Sequence, residues 1–384
     1  MRFTSIFKIH FNPDRIYGLD ILRAMAIILV VANHGGILFH YTDYQQLFLI
    51  DGLDGVSLFF VLSGFLIGGI LIRILKEEGG AIKTLVNFWI RRWLRTLPAY
   101  FFILIMLLIL SVLFTKTFSF HGIYKYSLFL QNFNNQPPVF FQEAWSLSVE
   151  EWFYLLIPLS LFLQIRILNI SANKAVLMTI FSIIIFSIFY RFYRYSNIST
   201  PINCNHWSLL FRMQVMTRLD SLMLGVLGAY SSYYHKLFFS KNKLISFLTG
   251  ILILFAHAVC DLLHLFGFGL YQCVFSFTVI GIGGLLLLPF LSELKTGSGT
   301  VYKIITHISI ISYSMYLLNY TVIQCFLLKY VDCHFMARFL PLPPPLIKYL
   351  LYWFLTIIGA HILYKYVEKP FIDLRRAVKL VKTF

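Results

Sequence analysis

Long runs of apolar residues follow one another along the whole chain, and short polar segments separate them. A helix of about 20 apolar residues crosses the ~30 Å hydrocarbon layer of a bilayer, and most of these runs approach that length. No glycine-serine linker, long polar insertion or internal repeat divides the series. The pattern predicts an all-α, polytopic membrane helical bundle that forms one domain over residues 1–384. Its ten predicted spans lie near residues 18–40, 54–72, 96–115, 145–165, 175–190, 212–232, 244–261, 268–291, 304–328 and 346–366.

Composition and charge agree with a membrane protein. Hydrophobic residues make up 59% of the 384 residues and charged residues only 12%, about half of the ~25% charged fraction of soluble domains. With the N-terminus placed in the cytoplasm, 23 of the 32 Lys and Arg residues fall in cytoplasmic segments, so both termini are predicted to be cytoplasmic. Topology thereby explains the net charge of +16, and no nucleic-acid partner is expected. The five cysteines are scattered and form no cluster with histidine, so no metal site is predicted.

The first span carries two ionisable residues, Arg23 and His34, with ten residues between them. An ionisable side chain at bilayer depth costs a few kcal/mol or more, so both positions need an explanation. Arg23 either extends to the membrane interface or acts inside the bundle. His34 is either a neutral imidazole bonded to a neighbouring helix or a residue that handles protons. We favour proton handling because imidazole titrates near neutral pH.

Two further clusters of charge border predicted spans. Arg91, Arg92 and Arg95 precede the third span. They are either positive-inside anchors or a clamp for the phosphates of a cytosolic cosubstrate, since Arg92 and Arg95 share one helical face. Glu150 and Glu151 lie together at the mouth of the fourth span. They either stabilise the helix N-terminus or act as a general acid or base or orient a histidine, which we prefer.

The sixth and ninth spans also carry polar residues. Arg218 and Asp220 are two positions apart and do not face each other on a helix, so each is expected to find a partner elsewhere in the bundle. The ninth span is rich in hydroxyl and amide side chains, including Tyr313, Tyr316 and Asn319. That composition predicts that this helix faces the bundle interior rather than lipid.

Seven segments, taken in order, closely resemble the membrane acyltransferase-3 family, which includes acetylases of O-antigen, nodulation factor and macrolides. Any one segment is a weak signal, whereas seven in the family's order are highly specific. They lie within residues 17–372 and read "LDILRAMAIILVVANH", "GVSLFFVLSGFLI", "RRWLRTLPAY", "WSLSVEEWFYLLIP", "RLDSLMLGVL", "SYSMYLLNY" and "VEKPF".

The resemblance implies a ten-helix enzyme of the bacterial cytoplasmic, or inner, membrane. Such an enzyme takes an acyl group, usually acetyl, from coenzyme A on the cytoplasmic side. It delivers the group to a hydroxyl of a cell-surface or lipid-linked glycan, such as lipopolysaccharide O-antigen. The family's site residues map onto the catalytic His34 and its paired Arg23, the coenzyme A phosphate site at Arg92 and Arg95, the paired Glu150 and Glu151, and the sixth-span pair Arg218 and Asp220.

The chain also departs from the family. Asn319 lies where the family often has histidine, so the resemblance carries no proton-handling role to that position. The extracytoplasmic domain fused to some members is not expected, because the chain ends soon after "VEKPF". We prefer direct transfer with His34 as general base, and a covalent acyl-histidine is the alternative. A transporter or flippase of a glycan or acyl carrier and a non-catalytic sensor or assembly partner are the competing functions.

Overall fold

The structure is a computed structural model and describes residues 15–39, 54–78, 82–114, 119–333, 337 and 342–374. Helices account for most of these residues and none of them forms a strand, which confirms the all-α prediction. Ten long helices follow the order of the predicted spans: α1 (Tyr17–Gly36), α2 (Gly55–Glu78), α3 (Ile82–Phe114), α4 (Ala144–Arg166), α5 (Ala172–Ser196), α6 (Leu219–Tyr234), α7 (Lys243–Leu262), α8 (Ser276–Glu293), α9 (Gly299–Leu318) and α10 (Pro344–Leu363).

The sixth helix differs from the other nine. Nine helical segments of the described chain are long and apolar enough to cross a membrane, so the protein is a multi-pass membrane protein. By contrast, α6 has 16 residues and begins only at Leu219, because a π turn at Ser208–Arg212 and a 3-10 turn at Val215–Thr217 interrupt the preceding chain. Most residues of α6 are buried, so it is a core helix enclosed by protein.

Helices α2 and α6 cross at backbone contact distance. A Cβ atom added at Gly64 would lie 1.9 Å from the carbonyl oxygen of Leu222, and one at Gly225 would lie 2.0 Å from that of Val61. Neither position has room for a side chain, so this crossing requires glycine on both helices. Small residues serve the same purpose at many helix crossings in membranes.

Apolar side chains cover the outside of the bundle. On α7 only Gly250 and His257 are buried, whereas Leu248, Leu252 and Phe255 are more than half exposed. An apolar surface of this extent is unfavourable in water and suits the hydrocarbon layer of a bilayer. Helix α7 is therefore a peripheral helix that faces lipid.

The inward orientation predicted for the ninth span is confirmed. Ser314 and Tyr316 on α9 are buried, as is Asn319 in the π-helical segment Asn319–Leu327 that continues it. A second π-helical segment, Tyr364–Glu368, continues α10, and its Glu368 accepts a hydrogen bond from Ser314 at 2.9 Å. The polar face of α9 is thus bonded to neighbouring helices.

The bundle has two ends that the contacts of α1 distinguish. Where α1 begins, the N–H of Gly18 donates to the carbonyl oxygen of Leu294 at 2.9 Å, and we name this the N-terminal end. Where the first span finishes, the rings of Phe39 and Tyr349 lie 5.3 Å apart, and we name this the opposite end. The predicted cytoplasmic placement of the termini falls on residues 1–14 and 375–384, which lie outside the described residues.

Candidate active site

A cavity of about 90 Å³ lies among α1, α2, α3, α4 and α9. Its wall combines three guanidinium groups and one carboxylate with apolar side chains of α2 such as Phe59 and Leu66. This combination suits a ligand that carries both anionic groups and an apolar arm. Six residues predicted from the sequence line the cavity: Arg23, Arg92, Arg95, Glu150, Tyr313 and Tyr316.

Arg23 belongs to a polar cluster near the N-terminal end. Its Nη1 lies 3.5 Å from Oδ1 of Asp20 and 3.4 Å from Oγ of Ser309. The Ser309 hydroxyl donates to Asp20 at 2.7 Å, and Arg15 pairs with the same carboxylate. Asp20 therefore holds Arg23 inside the bundle. Sequence reasoning missed Asp20, although its place one turn before Arg23 is a signal that could have found it.

Arg92 is bonded to a network that includes Glu150. Its Nη2 donates to the hydroxyl of Tyr154, which donates to Oε2 of Glu150 at 2.5 Å. Nη2 of Arg92 and the same Oε2 are 3.8 Å apart, and Ser63 Oγ lies 2.8 Å from the Tyr154 oxygen. Tyr154 thus joins the predicted phosphate clamp to the predicted glutamate, a link that the sequence did not reveal.

Arg95 has no such partner. It lines the cavity close to Arg92, but within the described part of the chain it makes no hydrogen bond or ion pair. Its guanidinium is therefore available to an anion, and the surplus positive charge favours anionic ligands. Arg91 does not line the cavity, although the sequence grouped it with Arg92 and Arg95.

Glu151 points away from the cavity that Glu150 lines. The hydroxyl of Thr96 donates to Oε1 of Glu151 at 2.8 Å. Glu151 lines a separate, mostly apolar pocket together with Trp93 and Trp152. Successive residues of a helix point about 100° apart, since one turn takes 3.6 residues. The two predicted glutamates therefore lie in different surroundings, and only Glu150 lies beside the arginines.

His34 lies near the opposite end of the bundle and outside the lining of the cavity. Its Nδ1 is 2.6 Å from Oδ1 of Asn319. Its ring packs against that of Tyr320, with centroids 4.8 Å apart. The next residue, Gly35, lies against two tyrosines: a Cβ there would be 2.7 Å from Cε2 of Tyr349 and 2.8 Å from Cε1 of Tyr352. His34 is thus bonded to α9's extension and packed close to α10.

The hydrogen bonds of Asn319 determine which nitrogen of His34 carries a proton. Nδ2 of Asn319 donates to the carbonyl oxygens of Met315 at 3.0 Å and Tyr316 at 2.8 Å, which assigns Oδ1 to the imidazole side. An amide oxygen only accepts, so Nδ1 of a neutral His34 must donate. Tyr352 also donates to this oxygen, at 3.2 Å. Nε2 of His34 is then left with the lone pair that a general base needs.

Tyr316 connects the cavity with the histidine. Its hydroxyl accepts from Ser146 Oγ at 2.6 Å and donates to the carbonyl oxygen of Glu143 at 3.1 Å. Its own carbonyl accepts from Asn319, three residues further along the helix, a rise of about 4.5 Å. One helical turn therefore separates a residue of the cavity wall from the partner of His34.

Arg218 and Asp220 lie outside the cavity, each with its own partners as predicted. Nη2 of Arg218 donates to Asp54 at 3.2 Å and to Ser57 at 2.6 Å. Asp220 accepts from Arg191 at 2.8 Å and from Thr278 at 2.6 Å. Arg191 was assigned to an outer loop by the spans drawn from hydropathy, but it is completely buried on α5.

Charged residues near the opposite end were also missed. Burial would raise the pKa of Asp54, but Arg212 and Arg218 lower it to about 2. Burial raises the pKa of Glu143 to about 7, even though the N–H of Thr321 donates to it at 2.7 Å and the Thr321 hydroxyl also bonds to it. The only feature of the sequence that could have identified Glu143 is its position directly before the apolar start of α4.

Comparison with known proteins places this arrangement in a family. The acyltransferase domain family matches residues 16–365. The chain belongs to the acyltransferase-3 family. That match covers every residue of the cavity and the His34 cluster discussed above, and it confirms the resemblance drawn from the seven segments.

Several relatives of known name match the chain. A protein of Staphylococcus aureus strain MSSA476, provisionally named an O-acetyltransferase, is 27% identical over 390 residues, covering 96% of this chain and 58% of its own. The chain thus spans less than two thirds of that relative's length. Peptidoglycan O-acetyltransferase OatA of Listeria monocytogenes is 30% identical over 168 residues, 38% of this chain and 24% of its own. YrhL of Bacillus subtilis, provisionally named a peptidoglycan O-acetyltransferase, is 31% identical over 200 residues, 46% of this chain and 29% of its own. No solved structure matches the chain.

Proposed function

We propose that this protein is a membrane O-acetyltransferase of the bacterial cytoplasmic membrane, which moves acetyl from cytoplasmic acetyl-coenzyme A to a hydroxyl of a cell-envelope glycan. One observation carries the proposal. An arginine-lined cavity and a histidine whose Nε2 carries the lone pair lie in one bundle, and one helical turn joins the residues that border them. Family membership supports the reaction class.

The donor side of the reaction is assigned to the cavity. Coenzyme A carries phosphates at one end and a thioester at the end of a slender arm, and bidentate guanidinium contacts suit phosphate oxygens. Arg95, which has no partner in the described chain, is the first residue we assign to these phosphates, with Arg92 and Arg23 beside it. The surplus of Lys and Arg in the segments on this side supports a cytoplasmic N-terminal end.

The chemical step is assigned to His34. Nε2 takes the proton of the acceptor hydroxyl, while the hydroxyl oxygen forms a bond to the thioester carbonyl carbon. The tetrahedral intermediate then breaks its C–S bond, and the departing thiolate receives the proton from the imidazolium. Asn319 keeps the imidazole in the tautomer that this step needs, as a hydrogen-bonded partner orients the base in hydrolases. Trapping an acyl group on His34 by rapid acid quench would instead favour the covalent order of steps.

The acceptor is assigned to the cell envelope. Two relatives are named for peptidoglycan, so peptidoglycan is the first acceptor to test, and O-antigen or another surface polysaccharide is the next. Each of these glycans offers secondary or primary sugar hydroxyls. Such a hydroxyl is a poor nucleophile near neutral pH, which is why the transfer requires a base such as His34.

Mass spectrometry of envelope glycans tests the function. A deletion strain is complemented with the wild type, with His34→Ala, or with Phe255→Ala, a control on the lipid-facing surface of α7. We expect an acetyl-sized mass on one glycan in the wild type and the control, and its loss in His34→Ala at equal membrane abundance. The glycan that loses the mass identifies the acceptor.

Coenzyme A release from acetyl-coenzyme A in the same membranes separates the competing functions. The proposal requires release that depends on His34 and increases when acceptor is present. A transporter or flippase gives no release above that of membranes without the protein. Identical glycans and identical release in the wild type and His34→Ala would show that His34 has only a structural role.

A further inference from the structure

A second, open pocket lies apart from the arginine cavity. Its volume is about 410 Å³, and its walls come from the segment before α4, from the C-terminal end of α5 and from the chain that follows α5. Five side-chain amides line it: Asn134, Asn135, Gln136, Asn197 and Gln214. None of the described residues that line it is acidic. A side-chain amide both donates and accepts hydrogen bonds, which is the requirement for binding neutral hydroxyl groups.

Aromatic surface accompanies these amides. Tyr190 and Tyr193 line the pocket, and Tyr193 is 66% exposed. A tyrosine ring presents an apolar face and a polar hydroxyl, so it can cover the C–H face of a sugar ring while bonding to its hydroxyls. Exposed amides beside an exposed tyrosine therefore suit a carbohydrate better than a lipid chain.

The side chain of Arg194 is part of the pocket wall, and its guanidinium is bonded to the protein rather than available to a ligand. Its Nη1 donates to Gln214 Oε1 at 2.5 Å and also bonds to the carbonyl oxygen of Leu210. Its Nη2 donates to Asn134 Oδ1 at 2.6 Å and to the Tyr190 oxygen at 2.9 Å. Both terminal nitrogens are thus occupied by the protein. The groups left to meet a ligand are the exposed amides, such as Asn135 and Gln136, and the Tyr193 ring, which again indicates a largely uncharged, hydroxyl-rich partner.

Hydrogen bonds join the segment before α4, which forms one wall of the pocket, to the start of α4 and to the chain before α6. Asn132 Nδ2 donates to the carbonyl oxygens of Met213 at 2.7 Å and Trp145 at 2.9 Å. The adjoining Arg212 lies over the ring of Trp145, 5.7 Å from its centroid, and is within electrostatic range of His34. Gln214 in the pocket wall is only two residues from Arg212. The pocket wall therefore lies two residues along the chain from a guanidinium that acts electrostatically on His34.

We propose that this pocket is a glycan-binding subsite, which holds one part of a carbohydrate chain while a hydroxyl elsewhere on that chain reaches His34. The subsite rests on the proposed function for its biological use, but its ligand class is argued from its own side chains. An acceptor held at two places reacts as if it were present at higher local concentration.

Direct binding tests the subsite. The probe is a fluorescently labelled, base-treated peptidoglycan strand, and the full-length protein is embedded in lipid nanodiscs. Tyr193→Ala and Asn135→Ala should each raise the Kd for the strand about fivefold to tenfold, the effect of losing ~1 kcal/mol of stacking or hydrogen bonding. Tyr124→Ala is the matched control, since Tyr124 is 63% exposed in the segment before α4 and does not line the pocket. It should bind as the wild type does.

Two results would overturn the subsite: equal Kd values in all four proteins, or no binding of the strand by the wild type. Release of coenzyme A, measured in the same nanodiscs with wild type and His34→Ala, tests the proposed function separately. If Tyr193→Ala weakens binding but release does not depend on His34, the subsite stands and the proposed reaction fails. If release depends on His34 but strand affinity ignores Tyr193, the reaction stands and the subsite fails.

Discussion

Arg191 and the arginines that line the cavity illustrate opposite uses of charge in this bundle. Arg191 is completely buried, and its ion pair with Asp220 is 2.8 Å long with both side chains 0% exposed. It also donates to the carbonyl oxygens of Val274 at 2.8 Å and Thr217. The arginines of the cavity, by contrast, are only partly buried and exceed the acidic groups beside them.

The two sets of arginines differ in whether their guanidinium nitrogens already have protein partners. Every terminal nitrogen of Arg191 has a protein partner, so this cation ties α5 to α6 and α8 and has no capacity for a ligand. Arg95 faces an open cavity without a partner in the described chain. A buried charge with a full set of partners therefore indicates structure, and a cation in surplus beside a cavity indicates binding. The predictions below test this distinction.

The largest expected effect is on folding, at Arg191. Arg191→Ala leaves Asp220 as an uncompensated buried charge, which costs about 3–5 kcal/mol. We expect a large loss of folded protein in the membrane, measured by fluorescence-detected size-exclusion chromatography. The double variant Arg191→Met with Asp220→Leu should recover much of this loss, because no lone charge remains. A double variant no more abundant than Arg191→Ala would contradict the account.

The next effect is on donor binding, at Arg95. Removing a charged hydrogen bond to phosphate costs about 1.5–3 kcal/mol, so Arg95→Ala should raise the KM for acetyl-coenzyme A about tenfold to 100-fold. Abundance of the folded protein should change little, since Arg95 makes no hydrogen bond or ion pair with the described residues. Arg91→Ala should raise this KM far less, because Arg91 does not line the cavity. Equal effects at the two positions would show that only net charge matters.

A smaller effect is expected at Asn319. Asn319→Leu removes the acceptor of His34 Nδ1, and with it the preference for the productive tautomer. A hydrogen bond contributes about 0.5–1.5 kcal/mol, so kcat should fall about threefold to tenfold while the KM for acetyl-coenzyme A stays constant. Asn319→Asp, which keeps an acceptor, should lose less. A change confined to KM would argue against a positioning role for Asn319.

A further prediction is a pH dependence of stability from Glu143. Burial raises its folded pKa to about 7, above the unfolded value of 4.5. The folded state thus binds the proton more tightly, so this contribution is fully present below pH 4.5 and is lost as pH rises through 7. Tm should fall between pH 5 and pH 8, and Glu143→Gln should flatten that fall. If Tm fell equally steeply in Glu143→Gln, the pH dependence would have to come from other groups.

Hydropathy predicted most of the fold but not the sixth helix. Runs of apolar residues near span length become helices because a bilayer leaves no other partner for the backbone. The predicted sixth span includes residues 212–218, yet Arg212 and Arg218 there pair with Asp54. These tertiary contacts accompany the break that makes α6 begin at Leu219. Arg191 was assigned to a loop for a related reason, because a charged residue at the end of an apolar run indicates the end of a span.

Sequence motifs predicted which residues belong to the candidate site, but they did not predict most of the residues to which these are bonded. The motifs identified Arg23, His34, Arg92 and Glu150, because those residue types are rare in apolar spans and suit acyl transfer. Two of them have partners far away in the chain: Asn319 is 285 residues from His34, and Tyr154 is 62 residues from Arg92. Adjacent positions also mislead, since Glu150 and Glu151 point to different pockets. Such pairings depend on how the helices pack, which no local pattern encodes.

Sided acetyl transfer tests the central claim most directly. Sealed inside-out membrane vesicles expose the cytoplasmic face, and base-treated peptidoglycan strands are enclosed in their lumen. Radiolabelled acetyl-coenzyme A is then added outside. The account predicts base-labile label on the enclosed strands with the wild type and, at equal abundance, about one hundredth of that amount or less with His34→Ala. Label that appears equally with both proteins, or only when donor and strands share one side of the membrane, would contradict it.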